Sequence, residues 1–371
     1  MIKTAVWKAM GTEIELSVPG AYASLIAATQ NLFTKCERIC SRFIADSELM
    51  RINNSHTTWQ PVSPTLWSIL FLADRAYHQT HGLFSPYLLD TIKYHGYDRS
   101  YTWLHPPVFD RVHDFLPKSS RDTLRKVVQD PTEKRLVDVL RHVSDGVNLN
   151  HITNENPDIK HKTIDFIDDT NGKPGYKDDP PLQFSLRPLA IKKRADISID
   201  LGGIAKGWAT QRIAHFLKIK GVPYGSLNAG GDLIVWNDSD DEPWLVEIED
   251  PRMYLEPATQ SQSPPPLVTF PIRQGAVATS GTLKRRWIHH HTLKHHLIDP
   301  RTNRPSASDV LQSTVLSASL IEAEVLAKIP VILGQKAGED FLSNYARRTS
   351  RRLRWWLVTK EAVPAGMTTS P

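Results

Sequence analysis

Residues 196–221 read DISIDLGGIAKGWATQRIAHFLKIKG. Ile197 and Ile199 alternate with polar neighbours, as a strand does. Asp200-Leu201-Gly202-Gly203 then opens a helix in which Ile204, Trp208, Ile213, Phe216 and Leu217 recur at helical spacing, and Gly221 closes it. Strand-like segments at Tyr224–Leu227, Asp232–Trp236 and Pro243–Ile248 follow with no helix between them. Strands and helices therefore mix without a βαβ rhythm. The expected fold class is α+β, with mixed, largely antiparallel sheets and packed helices, rather than a doubly wound α/β sheet.

Upstream, Thr12 to Val18 alternates as a strand that Pro19-Gly20 ends. Leu25, Ala28, Leu32, Phe33, Cys36 and Cys40 mark an amphipathic helix, and a second follows Pro64, with Gly82 as its C′ residue. Two short helices are expected near 119–129 and 131–143, and the polar tract 150–182 reads as a surface excursion rather than a domain. Downstream, the tract 256–266 reads as a long hairpin loop. Further strands are expected at Val268–Ile272, Ala276–Thr279, His295–Ile298, Ser313–Ser317 and Leu353–Val358. A helix from about Ile321 is interrupted or kinked at Pro330, and Phe341 to Tyr345 continues helical. The whole chain, 1–371, is expected to form a single domain with a basic C-terminal segment at 347–371.

Across 371 residues, 45 Lys and Arg face 40 Asp and Glu, a formal net charge of +5. Arg347, Arg348, Arg351, Arg352 and Arg354 account for all of it, so a general nucleic-acid coating protein is not indicated. These arginines are expected to edge a C-terminal strand as solvated charges, or else to meet an acidic protein target. Cys36 and Cys40 are the only cysteines, which excludes a disulfide framework and a four-thiolate zinc site. Simple packing of two reduced thiols outweighs metal binding by them. The N-terminus carries no apolar h-region and no lipoprotein-like cysteine, and no stretch approaches a membrane span. Cytoplasmic residence is the default expectation.

In Asp200-Leu-Gly-Gly-Ile-Ala-Lys206-Gly207, two glycines let an anion approach the backbone at a helix start, and Lys206 adds a point charge. The alternative is a plain Gly-Gly turn with an exposed lysine. Neither the Walker nor the dinucleotide fingerprint occurs. The histidines at 289–291, 295 and 296 alternate on a hairpin and cannot all converge on a metal. His296-Leu-Ile-Asp299-Pro300 places an imidazole near a carboxylate, suited to general-base work with an orienting acid; Asp-Pro also initiates turns. Thr279-Ser280-Gly281 lacks the glycine flanks of a nucleophile elbow and instead offers donors for a phosphate.

Eight short runs in order resemble the FAD:protein FMN transferase (ApbE) family. They are Met10-Gly-Thr12, Ser41-Arg-Phe43-Ile-Ala-Asp-Ser-Glu48 with Asn53, Gly82-Leu-Phe-Ser-Pro86, Asp200 to Gly207, Asn228-Ala-Gly-Gly-Asp232, Thr279-Ser-Gly281, His296 to Pro300, and Ala323-Glu-Val-Leu-Ala-Lys328. The resemblance implies an ApbE-like α+β fold. It also implies a transferase that binds FAD with a divalent cation, usually Mg²⁺, attaches FMN to a Ser/Thr hydroxyl of a target flavoprotein, and releases AMP. By motif position, Met10 and Phe43 would contact the flavin nucleotide, and Leu83, Phe84 and Ser85 would line its pocket. Asp200 and Lys206 would bind FAD groups, with Thr279 and Ser280 as phosphate donors. The Gly203 carbonyl and Glu324 would hold the metal. His296, supported by Asp299, would transfer the proton.

Two departures stand out. The family usually has Asp where Ser85 stands. Its metal helix typically reads Ala-Asp-Ala-x-x-Thr, with Asp and Thr as ligands, where this chain has Glu324 and Lys328. An ammonium has no lone pair to give a metal. Either Glu324 and Lys328 form a plain helix salt bridge, or the ammonium stands in the cation's place against the pyrophosphate. The other functions consistent with the residues are a flavin-binding protein that has lost transfer and an FAD pyrophosphatase yielding FMN and AMP.

Overall fold

Met10 and Gly11 both take positive φ, 52° and 68°, between the paired residues Ala9 and Thr12. A two-residue turn of this hand matches strand twist and fixes register. Gly230 and Gly231, at 64° and 101°, make a similar turn between Ala229 and Asp232. In the computed structural model, which describes residues 1–55, 58–99, 180–238, 242–254, 265–360 and 365–369, both hairpins belong to one eight-stranded sheet. Its strands are β1 (Ile2–Ala9), β2 (Thr12–Pro19), β3 (Tyr224–Ala229), β4 (Asp232–Asn237), β5 (Gly275–Gly281), β6 (Val310–Ser317), β7 (Arg354–Thr359) and β8 (Ala365–Thr369). Spatial order is chain order, and every pairing is antiparallel. The antiparallel α+β architecture is the one expected from sequence.

Period-two alternation sends side chains to two different cores. Leu16, Leu227, Trp236, Ala276, Ala278 and Leu357 join the large core on the helical side. Their neighbours Val235, Val277 and Trp356 face the other way, onto a hairpin of Trp244–Ile248 paired with Val268–Ile272. That pairing agrees with the hairpin expected around 256–266; most of the loop itself lies outside the described residues.

The helices are α1 (Leu25–Cys40), α2 (Glu48–Asn53), α3 (Pro64–Gln79), α4 (Leu89–Tyr94), α5 (Ala205–Ile219), α6 (Leu320–Leu326), α7 (Lys328–Leu333) and α8 (Gln335–Thr349). All but α4 contribute to the large core, and α4 packs through Ile92 with Tyr97, Trp287 and Ile298. Ser63 accepts from the Leu66 N–H at the start of α3, with Pro64 in the first turn, as Ser-Pro starts favour. Cys36 and Cys40 are buried and unpaired on α1, and burial pushes the Cys36 thiol up to about 11 and Cys40 higher still. Both are therefore unreactive packing groups.

Several sequence expectations need correction. Ile197 to Asp200 belongs to no strand. His81, with φ 53°, takes the first positive-φ position after α3, and Gly82 follows it at 80°. The strand expected over His295–Ile298 divides into Thr292–His295 and Ile298–Asp299, each pairing with a different segment. The late helix breaks at Ala327, three residues before Pro330, because that proline has no N–H for the Leu326 carbonyl. The arginine-rich segment does border a C-terminal strand, β7, as expected, with Arg347, Arg348, Arg351 and Arg352 exposed. Arg347 and Arg348 end α8, where cations suit the helix dipole, and Arg354 lies over the Trp356 ring at 5.1 Å. The short helices expected near 119–129 and 131–143, and nearly all of the 150–182 tract, lie outside the described residues.

Candidate active site

The segment 197–200 is held by side chains and loops instead of a sheet. Asn53 Nδ2 donates to the Ile199 carbonyl at 2.8 Å, and its Oδ1 accepts from the Ile199 N–H at 2.7 Å. Asp200 N donates to the Pro86 carbonyl at 2.8 Å, which ties the Gly82–Pro86 run alongside. Asn53 therefore acts as one rung of a ladder, from 146 residues away. Ile199 is fully buried, so Asn53→Ala strands an N–H and a C=O. We expect it to cost roughly 2–4 kcal/mol, read from urea unfolding, and a loss under 0.5 kcal/mol would refute the pegging role.

Asp200 Oδ1 accepts from the Gly202 N–H at 3.0 Å and faces Arg42 Nε at 3.6 Å. The Arg42 guanidinium lies 4.5 Å from the Phe43 ring centroid and 4.4 Å from that of Tyr97, and donates to the Tyr97 carbonyl at 2.9 Å. Tyr97 in turn packs on Trp287 at 5.0 Å. The result is an aromatic wall with an embedded cation, exposed at Phe43.

In the first turn of α5, Lys206 belongs to a largely buried ionic quartet. Lys206 Nζ contacts Asp232 Oδ2 and lies 3.3 Å from Glu324 Oε1. Glu324 Oε2 accepts from the Gly207 N–H at 2.8 Å, so the protein's own carboxylate occupies the helix start. Of the two readings of this run, an anion site and a plain turn with an exposed lysine, neither places an internal carboxylate there. Gly207 is required for this approach: a Cβ would stand 2.7 Å from Glu324 Oε2. Lys328 Nζ donates to the Glu324 carbonyl at 2.7 Å and lies 3.9 Å from its Oε1. The Lys328 stem also lies against Gly203, where a Cβ would stand 3.1 Å from both Lys328 Cε and Phe84 Cε2.

Burial works against the Lys206 ammonium, but Asp232 and Glu324 outweigh it and hold its pKa above the ordinary lysine value. Burial also opposes ionisation of Glu324, and Lys206 and Lys328 outweigh it, so that carboxylate is held below its ordinary value. For Lys328, burial wins over its two acidic neighbours and the pKa falls.

His296 is not paired with Asp299. The Asp299 carboxylate is taken by Arg301, at 2.9 Å from its Nε and 2.8 Å from its Nη2, and also accepts from the Arg301 N–H. His296 Nδ1 instead lies 3.4 Å from the Arg285 carbonyl. A carbonyl only accepts, so Nδ1 carries the proton and Nε2 keeps its lone pair. Burial, with Arg285 and His295 adding, drives the His296 pKa well below its ordinary 6.5.

Among the other expected residues, Phe84 is buried beneath Gly203, and Leu83 and Met10 are partly buried against the large core. Ser85 Oγ accepts from the Tyr87 N–H at 3.2 Å, a turn that an aspartate would close in the same way. The Thr279 hydroxyl is bonded to that of Thr314 at 2.9 Å, and Ser280 is buried. Asp232, Arg42, Arg285, Tyr97 and Trp287 carry no assigned role in the sequence reading. Asp232 and Arg42 stand inside quoted runs and could have been found there; the others had no local signal.

Residues 10–350 match the model of the ApbE family, and the chain belongs to that family. Among curated relatives, it is 28% identical over 144 residues to the FAD:protein FMN transferase of Vibrio cholerae, covering 38% of this chain and 41% of that protein. It is 24% identical over 216 residues to the Escherichia coli K12 protein of the same name, covering 58% of each. The alignments thus span about half the length of these relatives. Among solved structures, the ApbE protein of Thermotoga maritima superposes with a TM-score of 0.68 at 19% identity, over 98% of this chain and 96% of that one. The flavin transferase ApbE of Vibrio cholerae gives 0.61 at 21% identity, over 100% and 97%. These superpositions confirm the fold.

The divalent cation implied by the resemblance does not fit the residues here. Both Glu324 oxygens face N–H donors, Lys328 offers no lone pair, and among the described residues no three His, Cys, Asp or Glu side chains converge. Among the described residues, no helix is long and apolar enough to cross a membrane.

Proposed function

We propose that this chain binds FAD, transfers its FMN moiety to a serine or threonine hydroxyl of a target flavoprotein, and releases AMP. The observation that carries this is convergence. Residues of five runs spread from Arg42 to Lys328 meet around Gly203 and Lys206, combining an aromatic wall with buried cations. A pyrophosphate between a flat ring system and a nucleotide calls for that pairing of surfaces. The relatives named FAD:protein FMN transferase support the same chemistry.

In the proposed reaction the acceptor hydroxyl oxygen attacks the FMN-side phosphorus. A new P–O bond forms, the pyrophosphate P–O bond breaks, and AMP departs with the bridging oxygen. His296 Nε2 takes the hydroxyl proton. Lys328 and Arg42 face the charged groups, and Lys206 holds Glu324 in position. Phe43 and Met10 contact the flavin, Leu83, Phe84 and Ser85 shape its pocket, and Thr279 and Ser280 border the phosphates.

Incubation of the purified protein with FAD and an acceptor flavoprotein should add the mass of FMN to the acceptor and release one AMP for each addition. AMP release with no mass gain would assign a pyrophosphatase. FAD binding without AMP would assign a binder.

A further inference from the structure

The place implied for a divalent cation holds a lysine. Lys328 starts α7 directly after the helix break at Ala327, and its ammonium folds back onto the Glu324 carbonyl at 2.7 Å. Its stem runs beside Gly203 and Phe84. Lys328 makes this one hydrogen bond among the described residues, which leaves two of its three N–H donors for a ligand. Glu324, the carboxylate that would ligate a metal, faces the Gly207 N–H and Lys206. A dication could not share this position with Lys328 without close like-charge contact.

The quartet is balanced without a metal. It pairs two lysines with two carboxylic side chains, so its formal charges cancel: Lys206 meets Asp232 and Glu324, and Lys328 meets Glu324. An arriving pyrophosphate would therefore meet a preset ammonium rather than recruit an ion from solution.

We propose that the Lys328 ammonium replaces the divalent cation at this site and binds the pyrophosphate of FAD directly, making ligand binding independent of Mg²⁺. The ligand named here rests on the flavin transferase reading; the exclusion of a cation does not.

Two titrations test it. The first follows free Mn²⁺ by electron paramagnetic resonance in chelator-stripped protein without flavin. Wild type should bind no Mn²⁺ at this site, whereas Lys328→Thr, which supplies an oxygen ligand, should gain one. The second measures FAD affinity calorimetrically in EDTA and in millimolar Mg²⁺. Wild type should bind equally in both, within about twofold. Lys328→Met, which keeps the stem and removes the charge, should bind about tenfold or more weakly, with no rescue by Mg²⁺. Circular-dichroism melting shows whether each variant is folded, and the wild-type arms need no variant.

Mn²⁺ bound by wild type, FAD affinity that rises about tenfold with Mg²⁺, a folded Lys328→Thr that admits no Mn²⁺, or a Lys328→Met that binds FAD like wild type would each overturn the proposal. Failure of wild type to bind FAD in either buffer would overturn the flavin reading instead. The Mn²⁺ titration would still decide whether Lys328 holds the cation's place.

Discussion

Glu324→Ala is expected to destabilise the fold by about 3–5 kcal/mol, the range for removing one partner of a buried ion pair. Glu324 is 2% exposed and serves three donors: its carboxylate faces the Gly207 N–H and Lys206, and its backbone carbonyl accepts from Lys328. Alanine keeps only the carbonyl. Two buried ammoniums would then share Asp232 alone, and an N–H at the start of α5 would lose its acceptor. Glu324→Gln should cost less, because an amide oxygen can still accept from Gly207. Equilibrium urea unfolding reads both, and equal losses for alanine and glutamine would show that shape, not hydrogen bonding or charge, matters at this position. The carboxylate's pKa is held below its ordinary 4.5 in the fold. Its contribution is therefore complete above pH 4.5 and fades as pH falls through the lowered value. Glu324→Gln should flatten that acid limb relative to wild type.

What could be read in the sequence was local. Alternation marked β2, and strand-like composition marked β3, β4 and the hairpin partners 244–248 and 268–272. Helical periodicity marked α1, α3 and α5. Ile197 to Asp200 shows where this stops. Its alternation is that of a strand, but its partner is the side chain of Asn53, and no local pattern announces a partner 146 residues away. The site divided along the same line. Lys206 and Glu324 sit in runs with recognisable composition, whereas their meeting depends on α6 packing across the N-terminus of α5. The expected partnership of His296 with Asp299 failed for a local reason. Arg301, two residues beyond Asp299, reaches its carboxylate within the turn and leaves the histidine to the Arg285 carbonyl.

Loss of His296 is expected to have the largest effect on turnover. A positioned general base contributes about 10²–10⁴-fold, and His296→Ala should slow FMN transfer by that factor while FAD affinity stays within about twofold. The separation follows from geometry: the imidazole is oriented by the Arg285 carbonyl and stands outside the Lys206–Asp232–Glu324–Lys328 quartet. The pH profile supplies a second readout that a merely structural histidine would not move. Burial first, then Arg285 and His295, hold its pKa well below 6.5, so Nε2 keeps its lone pair into acidic solution. The acid limb of kcat/KM should therefore fall below pH 6.5, and it should vanish in His296→Ala. Asp299→Asn, which alters a carboxylate bound to Arg301 and not to the histidine, should leave that limb where it is. Transfer by His296→Ala at the wild-type rate, or an acid limb that moves with Asp299→Asn, would remove the imidazole from the reaction and return the proton to an unassigned group.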